Sequence, residues 1–341
     1  MHGAGGGLRT GPVGAAVPPA GPLAAGATVS RVTARHPETA PAPAGRFAPS
    51  PSGDLHLGNL RTALAAWGFA RATGRRFLLR VEDLDRVKRG AAERNVEDLR
   101  SIGLDWDGPV DVQSERIPVF LDRVRALTEA GLTYECFCTR KEIHAAASAP
   151  HGIPGAYPGT CRELTDTQRE RRRTERPPAV RLRAGVREFT VHDSFAGEFT
   201  GAVDDMVLVR NDGTPAYNLA VVVDDAEQGV DQVVRGDDLL PSAPRQAYLA
   251  ELMGYEVPEY AHVPLVLGPS GDRLAKRDGA VTLRELQELG CTAQDVVGWL
   301  ARSLGIAHPV RTAADVLEHW DPPSWNREPT TFKPWPDARD T

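Results

Sequence analysis

The residues best suited to chemistry in this 341-residue chain begin with Ala48-Pro49-Ser50-Pro51-Ser52-Gly53-Asp54-Leu55-His56-Leu57-Gly58-Asn59. Pro, Ser and Gly favour a tight turn, and a helical run opens near Leu60. Free backbone amides in a turn, followed by the unpaired N–H groups of a helix start, make an anion site. His56 stands at its mouth, with Gly58 close behind where a side chain would block a phosphate. Asn59 supplies the short polar side chain that suits a helix start. Much later, Gly271-Asp272-Arg273-Leu274-Ala275-Lys276-Arg277 is a polar turn with a lysine beside arginines. Amides and an imidazole preorganised around a phosphate stabilise the charge that grows on it during displacement, and a lysine on a mobile loop does the same for departing pyrophosphate. The plain alternatives are a histidine that ends a turn and a lysine in solvent.

Two further sets of residues could complete a site. Arg80-Val81-Glu82-Asp83-Leu84-Asp85 ends an apolar strand in three carboxylates. Open α/β sheets bind ligands outside the carboxyl ends of their strands, so Glu82 is placed to meet an ammonium group; a solvated acidic loop is the alternative. Arg46 and Arg235 occupy equivalent places, within or at the end of short strands. The guanidinium fork binds carboxylate bidentately, so two of them facing one pocket suit a substrate with two carboxylates.

Three of the four cysteines, Cys136, Cys138 and Cys161, lie within 26 positions. In a chain this long that clustering favours a metal site or a reduced interior over a secreted disulfide scaffold. Zinc chemistry alone expects Cys or His as fourth ligand, and His144 and His151 are available. Three unligated cysteines in an apolar insertion is the alternative. Cys291 lies far from the cluster in sequence and belongs to the core. The run Arg169-Glu170-Arg171-Arg172-Arg173-Thr174-Glu175-Arg176 is a solvated helix face or, in second place, a contact for RNA phosphates.

The elements that must position these groups follow from apolar periodicity. Residues 45–135 alternate strand and helix: Arg76–Val81 is a buried strand, Leu60, Ala63, Leu64 and Trp67 recur at helical spacing, and further helices run from about Arg89 to Ile102 and through Phe120–Leu127. Strands separated by helices imply βαβ units and a parallel sheet. From Cys136 to about Val203 short runs rich in Pro and Gly suit an insertion. Regular structure returns with Met206–Arg210, the turn Asn211-Asp212-Gly213, and Tyr217–Val223, which reads with the strands around it. Asp231–Arg235 is another strand, Ala243–Met253 a helix, and Val263–Leu267 the last strand. Helices follow near Leu283–Leu289 and Ala293–Leu304. From Ala307 six prolines predict an extended tail.

The net charge of −6 excludes a generally basic surface as the route to nucleic acid, though not a local patch. Residues 1–44 are rich in Gly, Ala and Pro. Prolines at 12, 18, 19 and 22 interrupt any signal-peptide core, so this stretch reads as a disordered leader. No apolar run is long enough to span a membrane.

The motifs resemble, in order, the catalytic core of the glutamyl-tRNA synthetase family of class I aminoacyl-tRNA synthetases. The matching segments are Gly45–Gly53, Arg80–Asp85, Ala216–Asp225 and Val234–Leu239, together with the two ATP signatures of the class, HIGH at His56–Asn59 and KMSKS around Lys276. Asn59 stands where the first signature has His, and Ala275 where the second has Ser. The resemblance covers about residues 45–305. Full-length members carry further helical domains that read the anticodon, whereas this chain ends soon after the core. That plan, with Asn218 and Val221 where ordinary members show His and Asn, resembles the truncated relatives that attach glutamate to the queuosine base of tRNA(Asp).

The resemblance implies a Rossmann-like class I catalytic core with a zinc-bearing insertion at about 136–203, a small C-terminal helical region, and a Pro-rich tail from 306. It implies activation of L-glutamate with ATP and Mg²⁺, with tRNA(Asp) as acceptor, in a monomeric cytoplasmic enzyme. Arg46, Ser50, Glu82, Tyr217 and Arg235 would bind glutamate. His56 and Lys276 would be catalytic, and with Gly58 and Asn59 would serve ATP. Cys136, Cys138, Tyr157 and Cys161 would hold one structural zinc. Three rivals share these motifs: a conventional glutamyl-tRNA synthetase, a ligase joining glutamate to a non-RNA acceptor, and a catalytically silent binding paralogue.

Overall fold

The computed structural model describes residues 41–139, 141–143, 157–274 and 281–333. The leader to residue 40, His144, His151 and Lys276 lie outside the described residues. The chain opens with β1 (Ala44–Phe47), α1 (Leu57–Ala72), β2 (Arg76–Val81), α2 (Ala91–Ser101), β3 (Asp111–Val112) and α3 (Ile117–Glu129), the strand–helix alternation that the apolar spacing requires. Parallel pairing joins β1 to β2 and β2 to β3. On its other side β1 pairs with β9 (Val230–Gly236), and β9 with β10 (Glu259–Val263), again parallel. Strand order therefore reverses between β1 and β9. This is the topological switch point at which open α/β sheets bind ligands, and it is flanked by Arg46 on β1 and Arg235 on β9.

The stretch 136–203 divides between two sheets. β4 (Thr133–Cys136), β5 (Ala179–Leu182) and β8 (Val207–Val209) form an antiparallel sheet, with α4 (Asp166–Arg173) beside it in sequence. The hairpin β6 (Glu188–Asp193) and β7 (Gly197–Ala202) instead extends the main sheet beyond β10, giving the order β3-β2-β1-β9-β10-β6-β7. The alternating burial of β6 marks a sheet with one face in solvent, and β7 is the edge strand.

Several expectations are corrected. Tyr217–Val223 is no strand but the start of α5 (Tyr217–Gln228). Its Val221-Val222-Val223 run is buried against α3 and α6 (Ala243–Leu252), and that burial overrides β propensity. The strand expected over Val263–Leu267 is broken by Pro264 into β10 and β11 (Val266–Leu267), since proline donates no ladder hydrogen bond. α1 opens at Leu57, three residues before Leu60.

Helices α7 (Leu283–Glu288) and α8 (Ala293–Leu304) lie where expected, but the described residues after Ala307 are not an extended tail. They form α9 (Ala313–Glu318) and β12 (Thr330–Thr331), which pairs with β11. Trp325 and Phe332 are buried, and Phe69 of α1 meets the Trp320 and Trp325 rings edge-on at 5.1 and 5.7 Å. Aromatic burial anchors a segment whose prolines alone suggest solvent. The main core runs through α1, α8 and this segment. Arg61, fully buried within it, ties α1 to the Pro264 and Ser303 carbonyls. Among the described residues no helix is long and apolar enough to cross a membrane.

The docked C-terminal segment has a sharp test at Gly305, which caps α8 at φ 99°, where an added Cβ would lie 2.8 Å from the Asn326 nitrogen. Gly305→Ala is expected to cost about 1–3 kcal/mol in denaturant unfolding, combining strain with a backbone clash. Gly108→Ala, also at positive φ but with nothing within 4 Å, carries only the strain. Equal effects would show that residues 321–333 are not packed on α8.

Candidate active site

The carboxyl ends of β1, β2 and β9 open into a cavity of about 770 Å³. Eight of the residues singled out from sequence line it: Arg46, Ser50, His56, Gly58, Asn59, Glu82, Tyr217 and Arg235.

At the strand ends the geometry rests on charge. Arg80 on β2 is fully buried, and its guanidinium meets Asp225 at 2.8 Å, Glu82 at 3.3 Å and Asp224 at 3.7 Å. Asp225 also accepts from Arg46 Nε at 3.2 Å, while Arg46 Nη1 donates to the Val234 carbonyl at 3.4 Å. Burial works against the Asp225 charge, yet Arg46 and Arg80 outweigh it and hold this carboxyl below the usual range. Burial pushes Glu82 the other way, above its ordinary range, despite Arg80 and Arg46 nearby. Glu82 is thus a buried carboxylate with one long hydrogen bond among the described residues, and it gains from a cationic partner arriving in the cavity. Arg46 Nη2 has no partner among the described residues. Of the other carboxylates after β2, Asp83 accepts from the backbone and hydroxyl of Ser114, and Asp85 is exposed.

Arg235, only 5% exposed, is held from several sides. Its Nε donates to His262 Nε2 at 2.9 Å, its Nη1 to Gln246 Oε1 at 2.8 Å, and its Nη2 to the Leu239 carbonyl at 3.5 Å. Gln246 in turn donates to Asn218 Oδ1 at 2.9 Å. Tyr217, 39% exposed at the start of α5, stands at the mouth.

His56, also in the lining, caps α1. Its Nδ1 accepts from the Asn59 amide at 3.3 Å, and its own amide donates to Asn59 Oδ1 at 3.2 Å. Nδ1 is therefore the acceptor and Nε2 carries the proton. A Cβ at Gly58 would fall 3.0 Å from the imidazole, so glycine there makes room for the His56 ring itself. The helix start offers fewer free amides than its sequence suggests, because Leu57 donates to the Val281 carbonyl at 2.8 Å, Asn59 to His56 and Leu60 to the His56 carbonyl. Leu274 lines the cavity, and Val281 and Thr282 meet Leu57 and His56. Both flanks of residues 275–280 thus lie beside His56.

The second constellation stands at the end of β4. Cys136, Cys138 and Cys161 present their sulfurs within 4.8 Å of one another. Tyr157 Oη lies 3.3 Å from Cys136 Sγ and 3.6 Å from Cys138 Sγ, and the Cys138 and Cys161 sulfurs are 3.5 Å apart. Tetrahedral zinc with Zn–S of about 2.3 Å needs ligand atoms about 3.8 Å apart, so these four fit it. Backbone amides of Phe137 and Cys161 point at Cys161 Sγ and Tyr157 Oη, the outer contacts that steady metal ligands. In the basic run, Arg173 pairs with Glu135 and Arg176 donates to the Phe137 carbonyl, holding α4 against this knuckle; Arg171 stays exposed. Cys291 is buried, as expected of a core residue.

Sequence reasoning passed over Arg80, Asp224 and Asp225 as supports, and missed Asp193, Gln246 and His262 altogether. The first three stood in quoted motifs and could have been flagged as charges inside apolar runs. The others carry no local signal.

A family model described as tRNA synthetases class I (E and Q), catalytic domain, matches residues 44–312. A protein of Nocardia farcinica named glutamyl-Q tRNA(Asp) synthetase is 64% identical over 84% of this chain and 92% of its own length. One of the same name from Cutibacterium acnes is 58% identical over 77% of this chain and 76% of its own. The crystal structure of a glutamate tRNA ligase from Elizabethkingia meningosepticum, in complex with its amino acid, superposes with a TM-score of 0.75 at 28% identity, over 87% of this chain and 68% of that one.

The capped imidazole makes its own prediction. Burial first, and Arg273 second, push the His56 pKa down from 6.5 to about 4. The ring is then neutral, with a proton on Nε2, throughout the physiological range. An NMR titration should give His56 a midpoint near 4; a midpoint near 6.5 would mean that the ring is not held as described.

Proposed function

The chain belongs to the class I tRNA synthetases (E and Q), and on that premise we propose that it activates L-glutamate with ATP and transfers it to the queuosine base of tRNA(Asp). The observation that carries this reading is a single cavity in which two buried guanidiniums and one under-bonded carboxylate face each other beside the His56 turn. Two cations and one anion complement a substrate with two carboxylates and one ammonium.

In this reading Arg46 and Arg235 each take one glutamate carboxylate, Glu82 and Ser50 take the ammonium, and Tyr217 closes the mouth over the amino acid. The α-carboxylate attacks the α-phosphate of ATP, releasing pyrophosphate and leaving glutamyl-adenylate. A hydroxyl of the acceptor then displaces AMP from the carbonyl. His56 donates its Nε2 proton as a hydrogen bond to phosphate oxygens, with Gly58 and Asn59 keeping the ring in place. Lys276, in the segment between Leu274, which lines the cavity, and Val281, neutralises the departing pyrophosphate. Mg²⁺ would enter with ATP and supply positive charge that offsets the charge growing on the phosphates. The acceptor assignment rests on the relatives that bear that name. The catalytic core of about residues 45–305 carries the docked segment to residue 333 packed on it, and the enzyme acts as a cytoplasmic monomer.

Labelled glutamate should be transferred to tRNA(Asp) that carries queuosine and not to the same tRNA without it. Glutamate-dependent exchange between ATP and pyrophosphate should need no RNA. Exchange that starts only when tRNA(Glu) is added would overturn the queuosine reading and favour a conventional glutamyl-tRNA synthetase.

We also propose one structural zinc, which fixes the fold of the knuckle when bound, on Cys136, Cys138, Tyr157 and Cys161. All four positions come from protein, so none is left for water. Metal analysis should find one zinc per chain, lost in Cys136→Ala/Cys138→Ala. Its removal should impair transfer to tRNA more than adenylate formation, since the ATP motifs lie elsewhere. Zinc retained undiminished in the double variant would refute the site.

A further inference from the structure

Behind Arg235, on the side away from the cavity, stands a buried pair that the reaction as described does not use. His262 on β10 is the in-register neighbour of Arg235 on β9. Asp193, the last residue of β6, sits beyond it. Both are almost fully buried. Asp193 Oδ1 accepts from the backbone amides of Phe195 and Ala196 at 2.8 and 2.9 Å. Its Oδ2 accepts from the His262 backbone amide at 3.0 Å and lies 2.6 Å from His262 Nδ1.

Hydrogen-bond bookkeeping then fixes the imidazole. A carboxylate only accepts, so the proton of the neutral ring resides on Nδ1. Nε2 is left with a lone pair, and it faces Arg235 Nε–H at 2.9 Å. The opposite tautomer would oppose N–H to N–H, and so would a protonated ring. The charged groups facing His262 are Asp193, Arg235 and Arg46, with the Tyr260 ring stacked on it at 5.7 Å. Burial first, together with the two arginines, outweighs Asp193 and keeps the ring neutral.

We infer that His262 and Asp193 are positioning residues: Asp193 locks His262 in the Nδ1–H tautomer, and the ring's Nε2 then aims the Arg235 guanidinium at a carboxylate in the cavity. Gln246, oriented by Asn218, accepts from a second nitrogen of the same guanidinium. The fork is thereby fixed in plane before the ligand arrives, and little side-chain freedom is lost on binding. The inference rests on the reading of Arg235 as a glutamate ligand.

Asp193→Asn tests it with almost no change of shape. An asparagine whose oxygen keeps the two loop amides turns its NH₂ toward His262 Nδ1. That forces the proton to Nε2 and removes the acceptor for Arg235. In the full chain, the KM for glutamate in pyrophosphate exchange should rise roughly 10-fold or more, while the KM for ATP stays within about twofold. His262→Gln, which keeps one donor and one acceptor, should hold glutamate better than His262→Leu. Equal losses for glutamate and ATP, or no loss, would overturn the inference. Nitrogen-15 NMR of the imidazole reads the lock independently of activity, with His262→Gln identifying the resonance. The wild type should show Nδ1–H and Asp193→Asn should show Nε2–H. A ring that exchanges between tautomers in the wild type would overturn the inference even if the enzyme used another substrate. Wild-type protein with the expected tautomer but no glutamate-dependent exchange would instead count against the glutamate reading alone.

Discussion

Arg80 is the constraint on which the strand ends depend. A guanidinium with no exposure at all survives only where its charge is matched, because burial of an ion costs several kcal/mol even after relaxation. Asp224, Asp225 and Glu82 match it, and each has a further task. Asp225 carries Arg46, Asp224 takes Arg116 and Gln113, and Glu82 is left with spare hydrogen-bonding capacity toward the cavity. Loss of one partner from such a buried group costs about 3–5 kcal/mol. The cavity-lining charges are thus held in place by the same network that stabilises the fold.

The fold brings that network to where it can be used. The reversal of strand order between β1 and β9 leaves a crevice at the carboxyl ends, with one arginine on each lip. α1 packs under both strands and delivers the His56 cap to the same crevice. The C-terminal segment packs Trp320 and Trp325 on Phe69 of α1 and Phe332 on Trp299 of α8. What looks like a peripheral tail therefore belongs to the support of the helix that carries the imidazole.

Legibility in sequence followed chain proximity. The turn from Ala48 to Asn59, the acid after β2 and the cysteine cluster could be read because their members are close in sequence and their chemistry is local. Arg46 and Arg235 could be paired only by analogy of position, and the switch point explains why they converge. Asp193 and His262 are 69 residues apart, on strands adjacent only through a hairpin that reads as insertion, so no spacing rule reveals them. The Val221–Val223 run misled because β propensity reports an average environment, whereas here a helix is buried on several faces. The prolines after Ala307 misled because the aromatic anchors between them are spaced irregularly. Gly58 was legible as a position that needs glycine, and in the structure the group a Cβ there would meet is the His56 ring.

The central claim is that a preformed pair of buried guanidiniums and one buried carboxylate bind glutamate. A crystal structure with L-glutamate, or with a non-hydrolysable analogue of its adenylate, tests it most directly. The account predicts one carboxylate on Arg46, the other on Arg235, the ammonium at Glu82, and both arginines still on Asp225 and His262. A ligand seated elsewhere in the cavity, or an Arg235 that has left His262 to reach it, would contradict the account.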